Sequence, residues 1–168
     1  MPRIVPALAL ALMLTGCTHL SVGHLESNPV SLDQQEELSM RYWDFEYVSQ
    51  VENDSYLVQG KAYPRQESFP GWGKWVHNLW VAAYLSDDEG RVLAKDLSIH
   101  STLEMDPETG VPFEFRLQPE KMTGSRDLYV TFGYRMQVTE DRMLDPDQEP
   151  GWAGKKNVFY ASEQALSR

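Results

Sequence analysis

The chain has 168 residues, with 15 Lys and Arg against 25 Asp and Glu, four His and one Cys, for a formal net charge of −10. That length suits one domain once a leader is set aside. The acidic balance argues against a nucleic-acid partner, whose phosphates need a basic face, and against electrostatic adhesion to anionic lipid. It permits a basic partner, although solubility is the plainer reading.

Arg3 stands near the start, and Ile4 to Met13 is an apolar run that contains Pro6. A run of that length fits a secretory leader and is too short for a bilayer span, which needs about 20 apolar residues. Leu14-Thr15-Gly16-Cys17 follows directly. Thr15 and Gly16 are small and leave a peptidase room to hold the backbone before Cys17. Basic start, apolar run, small residues and Cys in that order resemble the signal and cleavage region of bacterial lipoproteins. The resemblance implies that residues 1–16 are a signal peptide. It further implies that the Cys17 thiol takes a diacylglycerol and that Cys17 becomes an often acylated N-terminus. Thr18 stands where an Asp tends to retain such proteins at the inner membrane, so the resemblance implies the outer membrane. Cys17 has no second Cys to pair with, and lipidation removes an otherwise reactive thiol. Each buried methylene contributes about 0.8 kcal/mol, and two or more chains make a stable anchor. With Arg3 gone, 14 basic against 25 acidic residues leave −11.

Residues 17–39 read as the lipidated Cys, a flexible tether and a short helix. The tether, 18–30, is rich in Thr, His, Ser, Gly, Asn and Pro. Ser31 and Gln34 have the spacing of a helix cap, which predicts two turns ending near Ser39. From Met40 the period changes to two. Trp43, Phe45 and Tyr47 alternate with Asp44 and Glu46, a half-buried strand. Asn53-Asp54-Ser55 is a turn, and Tyr56, Val58, Gly60 and Ala62 share one face of the next strand, ended by Pro64. Residues 64–74 form a loop. Trp75 to Leu85 is apolar on both faces, which predicts a central strand covered on both sides. Asp87-Asp88-Glu89-Gly90 is a hairpin loop, with Gly90 free to take positive φ. Val92 to Ile99 returns antiparallel, and Asp106 to Gly110 turns again. Phe113, Phe115 and Leu117 alternate with Glu114, Arg116 and Gln118. Leu128, Val130, Phe132, Tyr134 and Met136 make another inward row, with Gly133 marking a bulge or a close backbone approach. Residues 139–157 are an acidic loop, Val158 to Ala161 a short last strand, and the tail a frayed helical turn.

About seven strands between turn signals predict an all-β domain over 40–168, a two-layer antiparallel sandwich or a barrel. Such a domain buries roughly 70% of its unfolded surface and needs no disulfide or metal. Val58-Gln59-Gly60, the run Leu79 to Leu85, Asp88 to Leu93 and Pro112 to Phe115 follow the order seen in FxLYD-type and water-stress-type domains. The resemblance covers about residues 56–138. It implies an immunoglobulin-like sandwich of a class often found on bacterial surfaces and without known catalysis.

The chain holds no G-x-S-x-G, and no free thiol remains once Cys17 is acylated. His19 and His24 lie in the tether. His77 and His100 fall at the ends of two strands expected to pair, so they can approach, but a zinc site needs a third ligand. Asp145, Asp147 and Glu149 alternate as calcium oxygens would, yet Pro150 stands where an EF-type loop needs Gly; solvated acidic loops are the plainer reading. Nothing calls for a cofactor. Pro70-Gly71-Trp72-Gly73-Lys74 is echoed by Pro150-Gly151-Trp152-Ala153-Gly154-Lys155. Trp72 and Trp152 at one end of a sandwich would make a stacking platform for a sugar ring or anchors for a protein, with Lys74 and Lys155 meeting an acidic group. The plainer reading folds both rings back as lids, since Trp is usually well buried.

The expectation is therefore a membrane-anchored envelope protein with a non-enzymatic binding or structural role, its partner an envelope protein or peptidoglycan. Three rival readings remain open: glycan binding through the loop tryptophans, inhibition of a basic envelope enzyme, and a hydrolase whose site the sequence does not reveal.

Overall fold

The computed structural model describes residues 19–120, 127–143 and 156–166. Within them the chain forms β1 (His19–Ser21), β2 (Asn28–Pro29), β3 (Gln35–Ser39), β4 (Trp43–Glu52), β5 (Ser55–Pro64) and β6 (Trp75–Ser86). There follow β7 (Val92–His100), β8 (Leu103–Glu104), β9 (Val111–Leu117), β10 (Tyr129–Thr139), β11 (Lys156–Ala161) and β12 (Gln164–Leu166). A short 3-10 turn, Gln66–Ser68, lies in the loop after β5. The seven strands read from period two are β4, β5, β6, β7, β9, β10 and β11.

Turn chemistry closes the hairpins. Glu52 pairs with Ser55 across two residues of positive φ, Asn53 at 44° and Asp54 at 62°. That is the backbone of a type I′ turn, whose twist matches paired strands. Asp87 Oδ1 accepts the backbone N–H groups of Glu89 (3.0 Å) and Arg91 (2.9 Å), and Gly90 takes φ +74°. Asp106 ties down the third turn by accepting Glu108 N–H and the Thr109 hydroxyl, with Gly110 at φ +66°.

Two sheets result. One has the order β3-β4-β5-β9; the other runs β11-β10-β6-β7, with β2 added on β10 and β8 on β6. All the pairings between named strands are antiparallel. Among the seven strands, the chain changes sheet between β5 and β6, between β7 and β9, and between β9 and β10. This puts the first, second and fifth of the seven strands in one sheet and the rest in the other. The two antiparallel sheets pack face to face as an all-β sandwich, with the fourth of the seven strands beside the third.

Inward rows of both sheets meet in one core. Phe132 of β10 stacks on Phe45 of β4 (centroids 4.2 Å apart, planes at 7°), with Tyr47 edge-on at 5.1 Å and Phe113 at 5.3 Å. Trp43 is fully buried and donates its indole N–H to Met136 Sδ at 3.3 Å. The alternation read on β4, β5, β9 and β10 therefore faces the right way. Gly133 is a close approach, since a Cβ there would lie 2.8 Å from the Tyr84 ring and 2.9 Å from Ala161 O. The register shift sits slightly further along, between Arg135 and Gln137, opposite Asn78 at φ 49°.

Residues 31–39 correct the expected helix. Asp33 takes φ 56°, outside the right-handed helical region, and Gln35–Ser39 form β3, pairing from Gln35↔Val48 to Ser39↔Asp44. A two-turn helix repays its nucleation poorly. The open edge of β4 offers this stretch a ready ladder, and Leu38 turns inward to the core. The expected helical tail is likewise a strand, β12. It pairs with β1, with His19 opposite Leu166 and Ser21 opposite Gln164.

Residues 19–30, read as tether, lie on the sandwich. Ser21 bridges to Arg91, Val22 N–H donates to Gly90 O at 2.9 Å, and the Thr131 hydroxyl donates to Glu26 O. Val22 packs on Ala82 and Tyr84, with Leu25, Trp80 and Val92 at the margin. This small second cluster covers part of the outer side of β6. It explains why both faces of that strand are apolar.

Candidate binding face

The described candidates do not gather into one site. Trp72 is half-buried and packs against the main core, while Lys74 is exposed. Trp152, Lys155, Asp145, Asp147, Glu149 and Cys17 lie outside the described residues. His77 and His100 do not form a pair. The register sets His100 opposite Leu79, and His77 is buried between two threonines. Its Nδ1 lies 2.9 Å from Thr102 Oγ1 and its Nε2 2.8 Å from Thr139 Oγ1. The Thr139 hydroxyl donates to Asp141 O at 2.6 Å, so it accepts from His77 Nε2–H, and Nδ1 accepts from Thr102. Both ring nitrogens are thus spent on structure. Among the described residues no group of three or more His, Cys, Asp or Glu is placed to hold a metal.

An open cleft of about 540 Å³ lies at the sandwich edge, lined by His100, Glu104, Asp106 and Thr109 among others. Burial pushes the His100 imidazole below its usual value. Asp96, Ser98 and His100 share the inner side of β7, and His100 Nε2 lies 3.3 Å from Ser98 Oγ. Asp96, however, accepts the backbone N–H groups of Leu97 (2.8 Å) and Arg116 (2.9 Å). Its carboxylate seals the open edge of β9 and does not orient the imidazole. Asp106 is engaged by Thr109 and Glu108, which hold its carboxyl below the usual range. The cleft therefore lacks the base-and-orienter geometry of nucleophilic catalysis.

The outer side of the β11-β10-β6-β7 sheet is arranged differently. Ile99 pairs with Trp80, Trp80 with Arg135, and Arg135 with Tyr160. Four strands thus place these side chains in one cross-strand row, about 14 Å long at the usual strand spacing. Ile99 is 76% exposed and Tyr160 72%. Trp80 is half-buried and Arg135 exposed. Leu97 flanks the row on one side, opposite Ala82, and Val158 on the other, opposite Gln137; both are half exposed. These exposed side chains are contiguous, unlike apolar residues scattered singly over a surface.

The next rows along the strands are covered. Glu163 accepts a hydrogen bond from the buried Tyr84 hydroxyl and pairs with Lys95 Nζ at 2.8 Å. Burial works to raise the Glu163 carboxyl, but Lys95 and Tyr84 outweigh it and hold it below its usual value. Burial pushes the Tyr84 hydroxyl up strongly. The chain termini thus close one half of this face and leave the other open.

The sequence signal for this face was thin. Alternation separates Trp80 from Leu79 and Val81 without saying which face of β6 stays open, and its neighbours in the row lie 19, 55 and 80 residues away. Only strand order brings them together. Comparison with protein-family models, curated proteins and solved structures found no match to this chain.

Proposed function

We propose that this chain is a lipid-anchored protein of the bacterial envelope, attached through Cys17 on the periplasmic side of the outer membrane. Its sandwich has a non-enzymatic binding or structural role. The observation that carries this reading is Leu14-Thr15-Gly16-Cys17 behind a basic and apolar leader. β1 begins two residues after Cys17, so a chain cut at Cys17 keeps every described strand. Thr18, where retention at the inner membrane favours Asp, supports the outer membrane. The order of strands and turns resembles FxLYD-type domains, a class often found on bacterial surfaces and without known catalysis. The exposed row Ile99-Trp80-Arg135-Tyr160 supports a binding surface.

Expression in a Gram-negative host with labelled palmitate tests the anchor. The full chain should take up label and fractionate with outer membranes, and mass spectrometry should find a diacylglycerol on a peptide beginning at Cys17. Cys17→Ala should abolish the label and leave the leader uncut. An unmodified N-terminal peptide from residue 1, or recovery in the cytosol, would refute it.

A further inference from the structure

We infer that the open half of the outer face, centred on Trp80, Arg135 and Tyr160, lies against the lipid surface. The sandwich is then held flat on the bilayer and is not lifted away on a tether. This rests on the anchor proposed above.

Three observations carry it. The chain leaves the sandwich on this same side. Ser21 is bridged to Arg91, Val22 packs on Ala82 and Tyr84, and Ser21 stands only four positions after Cys17. Four residues span at most about 14 Å. A lipid at Cys17 therefore holds this face near the membrane, whereas the opposite sheet is separated from it by the thickness of the sandwich.

Chemistry is the second observation. Aromatic rings with polar tips and Arg with its apolar stem are side chains that settle at the boundary between headgroups and acyl chains. Here Trp80, Arg135 and Tyr160 stand side by side, with Ile99, Leu97 and Val158 as the apolar flank. The third is charge. The chain carries 25 acidic residues, yet none stands in the row Ile99-Trp80-Arg135-Tyr160 or in the flanking row Leu97-Ala82-Gly133. The acids that make the whole chain repel an anionic surface are absent from the one patch that touches it, and Arg135 can meet a phosphate.

The test uses the lipidated full chain on vesicles of phosphatidylethanolamine and phosphatidylglycerol, with and without brominated acyl chains. Flotation reports the anchor, and tryptophan quenching reports the contact. Wild type should float and be quenched by brominated chains. Trp80→Phe should remove most of that quenching. Ile99→Asp with Tyr160→Asp, both at exposed positions that leave the fold intact, should still float but lose at least half of it. Chain that floats while Trp80 stays open to acrylamide and untouched by brominated lipid would overturn the contact and leave the anchor standing. Chain that fails to float would overturn both. Retention on peptidoglycan sacculi without vesicles, abolished by Tyr160→Asp, would identify a glycan as the occupant and overturn the inference.

Discussion

Glu163 is the point at which the C-terminal segment is fastened to the sandwich, and its removal tests that fastening. Its carboxylate accepts from the Tyr84 hydroxyl and pairs with Lys95. Lys95 is half exposed, so the ion pair contributes only about 0.5 kcal/mol. Tyr84 is 1% exposed, and a buried hydroxyl left without an acceptor costs about 1–3 kcal/mol. Glu163→Ala should therefore destabilise by about 2 kcal/mol. Glu163→Gln keeps an acceptor and should cost about 1 kcal/mol. Removing the hydroxyl as well, in Tyr84→Phe with Glu163→Ala, should recover about 1 kcal/mol relative to the sum of the singles. Equilibrium urea unfolding of the full chain measures all four corners of the cycle. The pH dependence has a definite sign. Because the folded carboxyl titrates below its unfolded value, its contribution is present above about pH 4.3 and is lost as pH falls through the folded value. Wild type and Glu163→Ala should converge in acid. Equal losses for Ala and Gln, or an additive cycle, would refute a hydrogen-bonded clamp.

Other perturbations follow from the same structure. Gly60→Ala places a Cβ 1.9 Å from Glu46 O and 2.8 Å from Tyr47 Cα, both backbone, so β4 and β5 must part; we expect about 3 kcal/mol or more lost by urea unfolding. Asp54→Gly relieves a non-Gly residue at φ 62° in the type I′ turn and should raise the urea midpoint, by about 0.5 kcal/mol in stability. Burial pushes Tyr47 and Tyr134 up to about 12, and Tyr84 higher still. The unfolded chain releases these protons near pH 10, so stability should hold to about pH 10 and then fall by about 1.4 kcal/mol per pH unit for each tyrosine. Tyr47→Phe should flatten the alkaline limb followed by circular dichroism, and an unchanged limb would count against the assignment.

The alternation that places Phe45, Tyr47, Phe113, Phe115, Phe132 and Tyr134 inward was legible because a strand's faces repeat every two residues whatever the strand pairs with. The turns at Asn53-Asp54, Asp87–Gly90 and Asp106–Gly110 were legible because Asn, Asp and Gly relieve a local backbone requirement. The stretch from Ser31 to Ser39 was misread because a capping pattern is also local, and the competing ladder on β4 is not. The tail was misread for the same reason, since β12 owes its existence to β1, some 145 residues earlier.

The exposed row on the outer sheet face sits at the far end of that scale. Ile99, Trp80, Arg135 and Tyr160 are unremarkable where they stand in the chain, and no spacing rule joins them. The loop tryptophans drew notice instead because Pro-Gly-Trp is a local echo, yet Trp72 packs against the core.

What the chain's own residues determined is whatever depends on a few neighbours: the two-residue period, the turns and the all-β class. Tertiary structure alone decided which edges were open for β3, β2 and β12, and which half of the outer face stayed uncovered. Backbone edges recruit whatever segment can reach them, and a face is exposed only by what fails to cover it. Neither property is written in any single stretch of sequence.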